Sequence, residues 1–272
     1  MPIETTRMLS LLQQVAEEVI NPRFRALAAD EISSKTRPDD LVTVADREAE
    51  VMLTRELRMA YPDALVLGEE AFATEPGLVE DFRAAEHAFT VDPVDGTRNF
   101  VHGSPDHAVM VAEVRAGTTV RSWIWQPQHL TGFVAELGSG AYRVDAHGGT
   151  ASPERLPMLQ PAVDPAAWRV RTSARRWVGD RLGDAPPMDL TWVSCGIDYP
   201  KLVTGECDAL VYRGTQPWDH VPGSLLLTEV GGFVGDLGAV TYGPRSRPDG
   251  IVAGASREIV QVLAPSVAAR RR

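Results

Sequence analysis

The chain is nearly devoid of cysteine: Cys195 and Cys207 are the only two among 272 residues. Two thiols cannot staple a loop-rich framework, so stability must come from a packed core, and both are expected to be free thiols in a reducing compartment. Long apolar runs are missing as well. No stretch approaches the roughly 20 residues that cross a bilayer. Met1-Pro2-Ile3-Glu4-Thr5-Thr6-Arg7 lacks a basic start followed by an apolar core. A cytoplasmic protein with no membrane partner is the expectation. There is no internal repeat and no low-complexity segment. Positive charge is short: 27 Lys and Arg stand against 37 Asp and Glu, a formal net charge of −10. Such a field repels nucleic acid and anionic lipid, so nucleic acid is not an expected partner. It also repels a phosphorylated substrate unless cations intervene. The histidines show no metal-ligand spacing, and His102, His107 and His129 read as turn or surface residues. Arg270-Arg271-Arg272 reads as a solvated basic end.

What is present suits a folded globular chain, with 44% hydrophobic and 24% charged residues. Met8, Leu11, Leu12, Val15 and Val19 predict an amphipathic helix within residues 5 to 29. A second helix is predicted from Thr43 to Met59, with Ala45, Ala49, Met52, Leu53 and Leu57 on one side. Ala64 to Leu67 and Ala88 to Val91 read as short strands, each ending at acidic residues. From His107 to Val144 the pattern is that of an antiparallel meander. Residues 145 to 166 are rich in Gly, Pro and Ala. That stretch divides an N-terminal α+β subdomain, 1–145, from a C-terminal α/β subdomain, 146–272. In the second half strands are expected near Trp168 to Arg171, Leu190 to Val193, Ala209 to Tyr212, Phe233 and Ile251 to Ala253. Helices are expected from about Ile197 and from Asp219 to Val230. The fold class is therefore α/β (α+β): helices sandwiching sheets, in two subdomains with a cleft between. Trp123, Trp125, Trp168, Trp177 and Trp192 are expected to serve packing.

The most informative segment is Val91-Asp92-Pro93-Val94-Asp95-Gly96-Thr97-Arg98-Asn99-Phe100. Two carboxylates stand three residues apart just after an apolar strand, with Pro93 stiffening the link and Gly96 permitting a tight turn. The Gly96 and Thr97 amides then open the next helix or turn, where an anion is welcome. Carboxylates beside an anion nest make sense with Mg²⁺ between them and a phosphate. Three further segments are ambiguous alone. Leu67-Gly68-Glu69-Glu70 is either a surface turn or a ligand pair. Trp218-Asp219-His220 reads as a helix cap. In Asp40-Leu41-Val42-Thr43-Val44-Ala45-Asp46, Thr43 reads as a cap and Asp46 as a first-turn carboxylate.

Taken together, in this order, these segments resemble the inositol monophosphatase family, from about Leu41 to Gly232. Glu229-Val230-Gly231-Gly232 is similar to that family's turn after its Trp-Asp helix. The resemblance implies a layered αβαβα sandwich of the inositol monophosphatase and fructose-1,6-bisphosphatase type, often homodimeric. It implies Mg²⁺-dependent, Li⁺-sensitive hydrolysis of a small phosphate monoester by a metal-activated water, with two or three ions per site and Mn²⁺ as a substitute. Glu70, Asp92 and the Val94 carbonyl would hold one ion; Asp92, Asp95 and Asp219 a second; Glu70 with water a third. Thr97, hydrogen-bonded to Asp46, would position or deprotonate the water, making Glu70, Thr97 and Asp46 the catalytic set. Gly96 and Thr97 would touch the phosphate, and Lys35 falls near the place of a family lysine. Ser194-Cys195-Gly196-Ile197-Asp198 resembles the segment lining the leaving-group pocket, so Ser194 and Cys195 become substrate contacts, with an inert core thiol the alternative for Cys195.

One departure bears on substrate. Inositol-handling members usually carry Glu six residues before the Trp of Trp-Asp, and here that position is Tyr212, followed by Arg213. A carboxylate is the strongest acceptor for sugar hydroxyls. With Tyr212 and Arg213 as the substrate contacts instead, a leaving group bearing a ring, a base or an acid is expected to fit better than a plain polyol. Histidinol phosphate and phosphoadenosine phosphate are alternatives to inositol phosphate. A catalytically inactive binding homologue is the alternative of another class, opposed by the retained Glu70, Asp92, Asp95 and Asp219.

Overall fold

A computed structural model describes residues 4–34, 41–146 and 152–270. Lys35, Asp40, Arg271 and Arg272 lie outside the described residues. The first helix, α1 (Thr5–Val15), turns Met8, Leu9, Leu12 and Val15 inward. Its turns then widen over Ala16–Ile20 and tighten over Asn21–Arg23, so the helix expected within residues 5 to 29 stops early. Pro22 has no N–H to give the preceding turn and its ring crowds that turn's carbonyl. Strands β1 (Ile32–Ser34) and β2 (Leu41–Thr43) pair antiparallel. Thr43 then caps α2 (Val44–Ala60): its hydroxyl accepts from the Ala45 amide, and Asp46 accepts from the Thr43 amide.

The first large sheet contains β3 (Leu65–Gly68), β4 (His87–Asp95), β5 (Ala108–Arg115), β6 (Thr118–Gln126), β7 (Thr131–Glu136), β8 (Gly140–Asp145) and β9 (Ser152–Arg155), in that spatial order. Only β3 and β4 run parallel. Helices α3 (Glu69–Thr74) and α4 (Leu78–Ala84) link β3 to β4, and α5 (Thr97–Val101) follows β4. The second half supplies β10 (Val170–Thr172), β11 (Asp189–Leu190), α6 (Cys195–Val203), β12 (Ala209–Tyr212), α7 (Pro217–Thr228), β13 (Phe233–Asp236), β14 (Ile251–Gly254) and α8 (Arg257–Ala269). Its sheet runs β11-β10-β12-β14-β13. The strand expected over Leu190 to Val193 ends at Leu190, because Val193 has a φ of +63°, outside the range of any strand.

Five layers result. α1 and α2 cover one face of the large sheet, α6 and α7 lie between the two sheets, and α8 covers the far side of the small sheet. This is an αβαβα sandwich of mixed α/β class. β5 shows how the sequence dictates it. Val109 and Val111 enter the core under α1 and α2, while Met110, Ala112 and Val114 face the α7 side. Both faces are buried, so the run has no polar alternation. Trp123, Trp125, Trp168 and Trp177 are buried, whereas Trp192 is half-exposed.

The approach of α7 to α6 leaves no room for a side chain at Gly223. A Cβ at Gly223 would stand 2.2 Å from the Tyr199 ring. Gly223→Ala is therefore expected to cost about 1–3 kcal/mol, the range for overpacking a core, and to lower the thermal midpoint. An unchanged midpoint would show that these helices can move apart freely.

Candidate metal centre

β4 and β5 keep strict register until Asp92 faces Met110; the next pair is Asp95 with Ala108. One extra residue is thus inserted in β4, and Pro93, which has no amide proton for the ladder, sits inside the bulge. Asp92 and Asp95 are buried, and Asp219 joins them from the first turn of α7. Each of the three carboxylates offers an oxygen within 4.8 Å of the others. Gly96 follows with φ +83°, and a Cβ there would meet the Ser194 side chain at 2.9 Å and the Asp106 carbonyl at 3.1 Å.

Asp95 is held from the second half of the chain. Its Oδ2 accepts from the Ser194 hydroxyl and, at 2.7 Å, from the Gly196 amide at the start of α6. Burial still pushes its pKa up to about 6, against the pull of those donors. Gly196 allows the approach, since a Cβ would stand 2.4 Å from that of Ala108.

Thr97 Oγ1 lies 3.0 Å from Asp46 Oδ1 and 3.1 Å from the Val94 carbonyl. With a single proton it donates to one of them at a time. Asp46 is fully buried, and desolvation raises its pKa to about 7 although Thr43 donates to it. Glu70, in the first turn of α3, stands outside the close group of three carboxylates. Its backbone is fixed by a residue not anticipated from the sequence, Glu50 of α2. Glu50 accepts from the Glu70 amide at 2.7 Å and the Ala71 amide at 2.8 Å. Gly68 makes the space, because a Cβ there would be 2.2 Å from the Glu50 carboxyl carbon. The signal was available: Glu50 sits between Ala49 and Leu53 on the buried side of α2. Phe72 of α3 packs on Trp218 of α7 with ring centres 5.1 Å apart, bracing the turn that carries Glu70 against the one that carries Asp219.

Asp95 and Asp219 open onto a cavity of about 240 Å³ whose wall includes Ser194, Cys195, Asp198 and Tyr212. Tyr212 is buried, and its hydroxyl donates to Asp198 Oδ2 at 3.0 Å. Asp198 Oδ1 accepts from the Trp192 amide at 2.7 Å, and burial lifts this acid's pKa to about 8. His220 packs on the Tyr212 ring, with centres 4.6 Å apart. Burial lowers its pKa to about 4, so the ring is neutral. Nε2 faces the Gly214 carbonyl and must carry the proton; Nδ1 then accepts from the Tyr199 hydroxyl. Arg213 is placed elsewhere, over the Trp177 ring and outside the cavity wall. Neighbours along an extended chain point to opposite sides, which separates Tyr212 from Arg213. Both cysteines are free and buried, and desolvation raises the Cys195 thiol's pKa well above its ordinary value. His107, expected in a turn or at the surface, is fully buried between Phe24 and Phe100.

The family model described as the inositol monophosphatase family matches residues 3–271. The chain is 30% identical over 246 residues to Nus factor SuhB of Pseudomonas aeruginosa, covering 85% of each. It is 32% identical over 212 residues to the inositol-1-monophosphatase of Mesorhizobium japonicum, covering 74% of this chain and 73% of that one. Among solved structures, the Thermotoga maritima IMPase superposes with a TM-score of 0.78 at 24% identity, over 96% of this chain and 97% of that one.

An all-oxygen, three-carboxylate donor set fits a hard divalent cation such as Mg²⁺, and the raised pKa values say how its binding depends on pH. Asp95, Asp46 and Glu50 are lifted from ordinary values of 3.8, 3.8 and 4.5 to about 6, 7 and 7. Between those limits the metal-free folded protein binds more protons than the unfolded chain, so its stability falls as pH rises from about 4 to about 7. A cation favours the ionised Asp95 and expels its proton. Mg²⁺ is therefore expected to raise the thermal midpoint more at pH 7.5 than at pH 5. At 100 times its Kd, a ligand of the folded state alone adds about 2.7 kcal/mol. Melts showing equal shifts at both pH values would exclude a buried carboxylate as ligand.

Proposed function

The chain belongs to the inositol monophosphatase family and hydrolyses phosphate monoesters with the help of metal ions, and we propose that Asp92, Asp95 and Asp219 hold Mg²⁺ and that the substrate is a small phosphorylated metabolite. The convergence of these three carboxylates, with Asp95 and Asp219 on a cavity wall, carries the reading. Carboxylates crowded this closely repel one another, and a divalent cation turns that repulsion into attraction. Glu70 and the Val94 carbonyl would complete coordination of further ions, and Mn²⁺ suits the same oxygens.

When bound, Mg²⁺ supplies charge neutralisation at the phosphate and lowers the proton affinity of water. The chain's own groups do the rest. With its hydroxyl hydrogen-bonded to Asp46, the Thr97 oxygen keeps lone pairs that can take a proton from the attacking water as its own passes to Asp46. Asp46, held near neutrality by burial, is matched to receiving that proton. The Gly96 and Thr97 amides, at the left-handed turn, would meet phosphate oxygens. Ser194 fixes Asp95, and Cys195 and Tyr212 wall the space for the leaving group.

That wall disfavours a polyol. Tyr212 commits its proton to Asp198, and each Asp198 oxygen already accepts from a donor. A leaving group with a flat ring or a base would rest on the Tyr212 side without needing many acceptors.

Phosphate release from this chain should require Mg²⁺ or Mn²⁺ and cease in excess EDTA; full activity in chelator would refute the reading. Asp95→Asn should abolish turnover and weaken Mg²⁺ binding. Thr97→Ala should retain Mg²⁺ binding, measured by thermal shift, while kcat drops about 10²- to 10⁴-fold, the usual worth of acid–base help. Full activity in Thr97→Ala would remove it from the mechanism.

Across a panel of small phosphates, inositol monophosphate should not be the best substrate. Tyr212→Phe leaves the ring and releases one Asp198 oxygen, so it should raise kcat/KM for inositol monophosphate relative to the preferred substrate. A ratio that stays fixed would separate Tyr212 from specificity.

A further inference from the structure

Among the described residues, Arg25, Ala116, Leu130, Val193 and Ala239 are the non-glycine residues with positive φ. Val193 is the β-branched member of that group, and it lies in the wall of the cavity beside Asp95 and Asp219. A β-branched side chain tolerates the left-handed region worst, because its two branches crowd the backbone there. Strain of this kind persists only where the surroundings over-determine the conformation.

They do so here from both halves of the molecule. On one side of Val193, the Trp192 amide donates to Asp198 at 2.7 Å and the Trp192 carbonyl accepts from Asn99 Nδ2 at 2.8 Å. Asn99 stands two residues after Thr97, and the same amide nitrogen also holds the Asp106 carbonyl at 2.7 Å. The Arg171 guanidinium carbon sits 4.0 Å from the centre of the Trp192 ring. On the other side, the Ser194 hydroxyl donates to Asp95. The Val193 amide itself is directed at Thr191 Oγ1, 3.3 Å away. The backbone path is therefore fixed by Trp192 and Ser194, whatever residue stands between them. Glycine would follow that path without strain. What valine adds at this position is a branched apolar side chain on the cavity wall.

We propose that Val193 is a specificity-determining residue for the leaving group: its isopropyl group narrows the cavity beside the metal centre and presents an apolar surface, disfavouring bulky, hydroxyl-rich rings and admitting slender or flat leaving groups. The proposal rests on the phosphatase reading above and narrows its substrate class. On the proposed function the phosphate would sit at Gly96 and Thr97, so Val193 would act on the alcohol and leave phosphate recognition to other groups.

The test uses Val193→Gly and Val193→Ala in the full chain with Mg²⁺. Val193→Ala removes the branch but keeps a residue that must hold positive φ; Val193→Gly removes branch and strain together. Both are measured on inositol monophosphate and on glycerol phosphate, with inhibition by inorganic phosphate as an internal reference. The ratio of kcat/KM for inositol monophosphate over glycerol phosphate should rise about 10-fold or more in both variants, as when a methylene-sized clash is removed from a pocket. The change should appear chiefly in KM, with phosphate inhibition unmoved and the thermal midpoint of Val193→Gly unchanged or higher. An unmoved ratio in two folded, active variants overturns the role of Val193 and leaves the phosphatase reading intact. A ratio that moves only in Val193→Gly assigns the effect to backbone freedom and also overturns it. A wild type that releases no phosphate from any substrate in the panel overturns the phosphatase reading and this proposal with it.

Discussion

Taking carboxylates out of water while keeping them close to one another is the constraint on which this structure turns. Each acid loses hydration and gains a like-charged neighbour, and both effects oppose ionisation. Asp46, Glu50, Asp95 and Asp198 all show it, with pKa values lifted to about 7, 7, 6 and 8. The fold answers in the same way at each. Asp46 receives the Thr43 amide, Glu50 the Glu70 and Ala71 amides, Asp95 the Gly196 amide, and Asp198 the Trp192 amide. The first three groups of donors belong to the starts of α2, α3 and α6, where backbone N–H groups lack helical partners. Orphan donors and buried acceptors thus satisfy one another, and helix ends are oriented by the acids they cap.

That exchange explains why the centre draws on both halves of the chain. Asp95 leaves β4 of the large sheet and is gripped by the start of α6, which lies between the sheets. Asn99, just after α5 begins, reaches the carbonyl of Trp192. Phe72 meets Trp218 across the same boundary. A shift of one half against the other would therefore disturb the carboxylates together with the core that the two halves share. Small residues let the halves close: Gly196 against Ala108, and Gly96 against Ser194.

Much of this was legible in the sequence, and the reasons are local. The strand, bulge and turn of Asp92 to Thr97 are encoded by adjacent residues, as is the cap of α2 by Thr43 and Asp46. The meander follows from alternation and turns. What escaped depends on contacts distant in sequence or on residues whose local signal is misleading. Glu50 falls on the buried side of α2, but its task of holding the start of α3 shows only once α3 is placed over it. His107 looks like a turn residue until Phe24 and Phe100 enclose it. α8 carries Ile259, Val260, Leu263, Ala264 and Val267 at helical spacing, but Pro265 in its interior speaks against a helix. The expected strand through Val193 had the right composition, since valine favours strands. The bond Asn99 donates to the Trp192 carbonyl, and those Asp198 and Asp95 accept from the Trp192 amide and the Ser194 hydroxyl, overrode that preference.

Tyr212 shows the same limit at the level of chemistry. Its identity alone says that a carboxylate is missing from a place where the family resemblance leads one to expect it. The structure puts a carboxylate back nearby, Asp198, and then occupies it: one oxygen with Tyr212 itself, the other with the Trp192 amide. What a pocket can recognise is set by the donors and acceptors left over after the wall has satisfied itself. A residue-by-residue comparison counts groups that are present, whereas recognition depends on which of them remain uncommitted. By that measure Tyr212 and Asp198 act as a single closed unit, and Val193 extends the apolar side of the same wall. Under the proposed function the wall would select by shape and ring contact, because its carboxylate, Asp198, is engaged in holding the loop that carries Val193 in place.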